Sequence, residues 1–174
     1  MKRWHTGHIE PFWTKQSITK LNYERPPNLS ADQDTLKWRR LGYIDTKEHL
    51  SGLLCDMKKP QPAWNPQLID WFEKEYGVQD TGTSYFKMIT DSILPVHADS
   101  FTEYRKLFNC KRTDCIRVIV FPMDWESGHY FEIEGEAIVN WKAGDFVMWQ
   151  DNVPHMAANI GATPRYTIQL TGHK

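Results

Sequence analysis

The residues best suited to chemistry in this chain are a histidine and an aspartate two apart, His97 and Asp99, and a histidine far downstream, His155. In an extended strand residues i and i+2 point to one face, so His97-Ala98-Asp99 delivers an imidazole and a carboxylate together. A divalent first-row metal requires such a convergence of nitrogen and oxygen donors. The short pattern is weak by itself, because seven histidines make one His-x-Asp or His-x-Glu pair close to an even chance. His8-Ile9-Glu10 is such a pair; it precedes Pro11 with no strand signal around it and is set aside.

The rest of the C-terminal half strengthens the first pair. His155 follows Pro154 and begins a short strand-like segment. Arg165 comes after the Gly161-Ala-Thr-Pro164 turn, where Arg165, Thr167 and Gln169 share one face of a strand and Tyr166, Ile168 and Leu170 take the other. An arginine turned into a small barrel is costly to bury without an anionic partner. The charges balance if that anion is 2-oxoglutarate. Iron(II) with two neutral histidines and one carboxylate keeps one positive charge, Arg165 adds another, and the dicarboxylate cancels both. Two imidazoles and one carboxylate on one face of an octahedron leave three positions, two for a bidentate 2-oxoacid and one for dioxygen. Arg165 would then grip the far carboxylate with two parallel hydrogen bonds, and the Thr167 hydroxyl could add a third.

Residues 84–172 resemble the double-stranded β-helix of the 2-oxoglutarate/iron(II) dioxygenases. The order His97-x-Asp99, distal His155, then Arg165-x-Thr167 is similar to that superfamily's His-x-Asp/Glu…His signature with its Arg-x-Ser/Thr clamp. The run Trp141-Lys-Ala-Gly144…Asp151…Pro154-His155…Asn159…Arg165 further resembles the aspartyl/asparaginyl and proline hydroxylase branch. The resemblance implies a hydroxylase in which His97, Asp99 and His155 hold Fe(II). 2-Oxoglutarate is the implied co-substrate, oxidatively decarboxylated to succinate and carbon dioxide. That branch often carries an additional arginine on an early core strand, and Arg117 in Arg117-Val-Ile-Val120 stands at that position. Tyr85 and Lys87 share one face of the strand preceding the ligand loop, and either could reach the co-substrate carboxylate. His129, after Gly128, is expected at the surface or the pocket rim. Asp151 and Asn159 are expected to fix loops, and Trp149 and Trp125 to wall the pocket. Residues 1–83 carry no resemblance.

Two other classes compete. A cupin-type metal protein that does not use 2-oxoglutarate is suggested by His155 followed four residues later by Asn159, similar to the second cupin motif. The first cupin motif has His-x-His plus a glutamate, however, where this chain has His97-Ala98-Asp99. A metal-free β-sandwich binding module, with its histidines buried as structural groups, is the other.

The elements that must position these residues change character along the chain. Asp45 and Glu48 have capping-box spacing, and Leu50, Leu53, Leu54 and Met57 follow with helical period. A second helix is predicted from Asn65-Pro66 to Gly77, with Leu68, Ile69, Phe72 and Tyr76 on its apolar face. Residues 24–31 read as loop, and Ser100–Asn109 as helix or loop. After Gly77 the period becomes strand-like. Strands are predicted over Ser84–Thr90, Cys115–Phe121, His129–Glu134, Glu136–Trp141, Asp145–Gln150, His155–Ile160 and Arg165–Thr171, punctuated by glycines at turns. The expected fold is mainly β with flanking helices, a double-stranded β-helix of the jelly-roll, cupin-like kind. It is read as a single domain, with 1–83 a helical and irregular part packing on a barrel of 84–174.

Composition narrows the partners. With 174 residues the chain suits one domain with a real core. Its 21 basic and 22 acidic residues give a net charge of -1, which gathers no polyanion, so nucleic acid is not expected. Three cysteines, Cys55, Cys110 and Cys115, cannot all pair within the chain, and none forms a Cys-x-x-Cys, so no disulfide framework is expected. No apolar run follows Met1 or reaches membrane-spanning length. A cytoplasmic protein acting with dioxygen on a small-molecule or peptidyl substrate, away from any membrane, is the expectation.

Overall fold

The computed structural model describes residues 2–25, 38, 40–42 and 52–174. In chain order its strands are β1 (Trp4–His8), β2 (Leu53–Cys55), β3 (Gln79–Met88), β4 (Ser92–His97), β5 (Cys115–Val120), β6 (His129–Ile133), β7 (Glu136–Ile138), β8 (Asp145–Gln150), β9 (His155–Asn159) and β10 (Arg165–His173). They form a six-stranded sheet in the order β1-β8-β5-β10-β3-β2 and a four-stranded sheet in the order β4-β9-β6-β7. Each strand pair is antiparallel.

Strand periodicity divides the core in two. On β5, Ile116, Val118 and Val120 face away from the small sheet, whereas Ile119 faces it. The inner layer between the sheets contains Phe121, Phe131, Trp141, Val147, Trp149 and Ala157, and the side chains of the candidate site line the same space. The outer layer lies under α1 (Lys15–Thr19) and α2 (Asn65–Tyr76), where Leu68 and Phe72 of α2 join Val118, Ile168 and Leu170. Helix α2 has the predicted bounds for the predicted reasons. Pro66 stands in the first turn, where a missing N–H costs nothing, and Gly77 takes the left-handed conformation (φ 61°) that ends it. The segment after Asp99, readable as helix or loop, contains α3 (Thr102–Phe108).

This is the mainly β, double-stranded β-helix expected, with several local differences. The helix expected through Leu50, Leu53, Leu54 and Met57 is not formed in its described part: Leu53–Cys55 is β2, pairing with Lys87–Tyr85 of β3. Asp45, Glu48 and Leu50 lie outside the described residues. A ladder to an existing sheet edge, with Cys55 fully buried, wins over the helical spacing. The Asp56 carboxylate then accepts the Lys58 N–H and turns the chain. The loop expected at 24–31 is described only to Arg25; within it Glu24 bridges Leu54. Strand β7 is shorter than expected because Asn140 adopts positive φ (59°). Strands β1 and β2 come from the stretch expected to be helical and irregular.

Candidate metal centre

His97 reaches the inner space through a break in the pleat. On β4, Ser92 opposes Asn159 and Leu94 opposes Ala157 of β9; after a register shift His97 opposes His155. Two residues of β4, Pro95 and Val96, therefore stand against Met156 alone, which is a β-bulge. Strict alternation from the inward Leu94 would bring Val96 inward and turn His97 out. The extra residue reverses this, so that Val96 is exposed and His97 points in. Pro95 suits the bulge because it has no N–H to contribute to a ladder. The result is a cross-strand pair of imidazoles with ring centroids 4.3 Å apart.

Both rings are oriented in the same way. Nδ1 of His97 lies 2.8 Å from the Pro95 carbonyl, and Nδ1 of His155 lies 2.9 Å from the Val153 carbonyl. A carbonyl oxygen only accepts, so each Nδ1 carries the proton and each Nε2 presents a lone pair. Burial pushes the His155 imidazole down to about 4, which keeps it neutral at pH 7 and able to bind a metal.

Asp99 supplies the third donor from just beyond β4, so the strand geometry expected for His97-x-Asp99 holds only for its first member. Its Oδ1 lies 3.9 Å from Nε2 of His97 and 4.0 Å from Nε2 of His155. Its Oδ2 accepts a 2.9 Å hydrogen bond from Nε of Arg117, whose Nη1 lies 3.4 Å from Oε1 of Gln169. Burial acts to raise the Asp99 carboxyl, but the Arg117 charge, with those of His155 and His97, outweighs it and holds the group at about 2. His97, Asp99 and His155 thus offer two nitrogens and one anionic oxygen within 4.8 Å of one another. That donor set fits a non-haem iron(II) ion with open positions.

Arg165 opens β10 at 3% exposure. Its Nη1 lies 3.4 Å from Sδ of Met88, while Nε and Nη2 are buried without a partner among the described residues. The guanidinium sits among the rings of Trp141, Phe121 and Phe131, 5.5–5.9 Å from their centroids, and burial pulls its pKa down to about 9. Ring faces compensate a cation in part, but they leave its in-plane N–H groups unbonded. Phe131 links the two halves of the site: its ring lies 6.2 Å from that of His155 and 5.9 Å from the Arg165 guanidinium. An anionic ligand with oxygen atoms fits those unbonded donors. Thr167 is buried on the same face of β10.

Other expectations meet different surroundings. Tyr85 pairs with Ile168 across the β3–β10 ladder, which puts it on the outer face with the helices, and its hydroxyl donates to Oδ1 of Asn65. Its assignment to the co-substrate is therefore corrected, and the same face carries Lys87, which lies over the Tyr166 ring. Arg117 does face inward, but its Nε is engaged by Asp99. His129, expected at the surface or rim, is buried, with Nε2 lying 3.0 Å from the Thr163 carbonyl. Asn159 fixes its loop, bonding the Met88 and Thr163 carbonyls and the Gly161 N–H. Trp149 lies 4.6 Å from the His155 ring, while Trp125 donates to the His129 carbonyl. Sequence reasoning did not find Phe131 or the two carbonyls that orient the imidazoles. The only signal for the carbonyls was a proline within two residues before each histidine.

No protein-family model and no curated protein matches this chain. Solved structures do. A prolyl-4-hydroxylase from Pseudomonas putida superposes with a TM-score of 0.58 at 12% identity, covering 99% of this chain and 92% of its own. The fold is shared with prolyl hydroxylases. A prolyl hydroxylase from Trichoplax adhaerens, in complex with a hypoxia-inducible-factor oxygen-degradation-domain peptide fragment, gives 0.58 at 12% identity over 98% of this chain and 83% of that one. The non-heme alpha-ketoglutarate-dependent carbocyclase SnoK of nogalamycin biosynthesis gives 0.52 at 11% identity, covering 95% and 87%. At such identities the likeness is one of fold.

Proposed function

We propose that this chain is an iron(II)- and 2-oxoglutarate-dependent oxygenase that hydroxylates an amino acid, a peptidyl residue or a small metabolite. The observation that carries this reading is Arg165. A fully buried guanidinium with two nitrogens unpartnered among the described residues, one aromatic ring away from a His-Asp-His cluster, has no role in a plain metal-binding barrel. In this reading His97, Asp99 and His155 hold the metal, and Arg165 with Thr167 takes the far carboxylate of the co-substrate.

When bound, the iron and 2-oxoglutarate supply dioxygen activation, with succinate and carbon dioxide as by-products. The protein's residues do the positioning. The carbonyls of Pro95 and Val153 keep both imidazoles in the tautomer that offers Nε2. Arg117 engages one carboxylate oxygen of Asp99 and leaves the other for the metal. Phe121, Phe131 and Trp141 exclude water from the Arg165 end. Asp99 and Arg117 keep 19% and 15% of their side-chain surface exposed, so substrate approaches from that end while the co-substrate tail lies in the interior. The peptide bound by the Trichoplax neighbour supports a peptidyl substrate as one option.

We read the chain as a single domain, with the described part of residues 1–83 packing on the barrel. Its free thiols suit a reducing compartment such as the cytoplasm, and among the described residues no helix is long and apolar enough to cross a membrane.

The test is an anaerobic titration with Fe(II) and 2-oxoglutarate, followed by admission of air and measurement of succinate. Succinate release that is lost in Asp99→Ala is expected. A protein that binds metal but neither binds nor consumes 2-oxoglutarate would favour a cupin-type metal protein.

A further inference from the structure

Between Asp99 and Arg117 the chain leaves the barrel, forms α3, and returns through a 3-10 turn (Arg112–Asp114) into β5. Near the site this excursion is clasped by the Arg117–Asp99 ion pair and by Phe101, whose ring lies 5.2 Å from the Arg117 guanidinium. Farther out, Cys110 follows the C-terminus of α3 and Cys115 opens β5, and their sulfurs lie 3.8 Å apart. Cys115 is fully buried and its Sγ–H donates to the Lys111 carbonyl; Cys110 is partly exposed. Cys115 stands two residues before Arg117, on the same face of β5.

We infer that Cys110 and Cys115 are a reversible dithiol site for low-molecular-weight disulfides, whose closure pre-organises the excursion carrying Asp99 and tightens metal binding. The metal part of this inference rests on the reading above; the thiol chemistry does not. Contact at 3.8 Å needs only a further approach to the about 2 Å of an S–S bond. Burial raises the Cys115 thiol to about 12, so the partly exposed Cys110 is the first to react. Its thiolate attacks one sulfur of the reagent disulfide and expels one reagent thiolate. Cys115, giving up its proton to solvent, then attacks the Cys110 sulfur and expels the second. The protein loses two electrons, the reagent gains them, and two reagent thiols leave. Closure removes alternative paths of the excursion in which Asp99 lies away from Arg117, so less ordering remains to be done when a metal binds.

Lys111 and Arg112 lie between the two cysteines, which provides a direct readout. The full-length protein is equilibrated in glutathione buffers of graded redox poise, alkylated and cut with trypsin. Fragments Leu107–Lys111 and Thr113–Arg117 should stay joined at oxidising poise, separate on reduction with dithiothreitol, and never join in Cys110→Ser. Mn(II) affinity, measured by electron paramagnetic resonance, should be higher by about fivefold or more in the oxidised protein and unchanged by poise in Cys110→Ser. Reciprocity requires Mn(II) to shift the redox midpoint toward the disulfide by the same factor. No joined fragment at oxidising poise, or a joined fragment with equal Mn(II) affinity in both states, overturns the inference. Joined fragments in a protein that binds no Mn(II) in either state would support the thiol site and refute the metal centre.

Discussion

Arg117 reaches Oδ2 of Asp99 at 2.9 Å across eighteen residues of chain and leaves Oδ1 facing two imidazoles. The arrangement divides the carboxylate between a fixed cation and a candidate metal. It also predicts that Arg117→Ala acts through the metal. Without the guanidinium, burial raises the Asp99 pKa and both oxygens are free to reorient. Metal affinity at pH 7 should fall on the order of ten- to a hundredfold, the usual cost of losing a group that orients a ligand. Mn(II) titration checks this, and Arg117→Lys should recover only part of the loss.

Arg165→Met has two opposed consequences. Affinity for 2-oxoglutarate should fall by at least about a hundredfold, since a bidentate charged contact is removed in a dry setting. The free protein should melt at a higher temperature, because a buried cation without an anion is replaced by a side chain of similar length that packs against Phe131 and Trp141. Calorimetry with and without 2-oxoglutarate measures both. Unchanged co-substrate binding would remove Arg165 from the site.

Tyr85→Phe separates the two faces of the large sheet. The variant leaves Oδ1 of Asn65 without its donor in the outer core, at a cost of about 1–3 kcal/mol in stability. Binding of 2-oxoglutarate should be unaffected, which denaturant melts and a binding titration on the same sample would establish.

The low pKa of His155 sets a pH window for the metal-free protein. Folding lowers this imidazole from 6.5 to about 4, so the unfolded chain takes up the proton more readily. The associated stability is fully present above pH 6.5 and is lost as the pH falls toward 4, in total about 3 kcal/mol. Melting temperature against pH should slope across that interval in the wild type and flatten in His155→Leu.

Much of this was legible in the sequence, for identifiable reasons. The spans of α2 and of the later strands follow from Pro66, Gly77 and the alternation around residues such as Ile119 and Phe131. The order of His97, Asp99, His155 and Arg165 was readable because each residue type suits a single task. Long-range register was not readable. Whether Tyr85 faces inward depends on which β10 residue it opposes, and the ladder opposes it to Ile168. Leu53 and Leu54 carry a helical spacing that a partner thirty-odd residues away overrules. The meetings of Arg117 with Asp99 and of Cys110 with Cys115 depend on the path of an excursion that no local periodicity encodes.

The irregularity at Pro95 and Val96 makes chemical competence a question of odd and even. With both residues kept, an uninterrupted pleat would send the first imidazole toward bulk water, whereas deleting either one would leave it opposite His155 and facing inward. A descendant of this chain could thus keep the whole scaffold and every ligand residue and be silenced by the straightening of one strand.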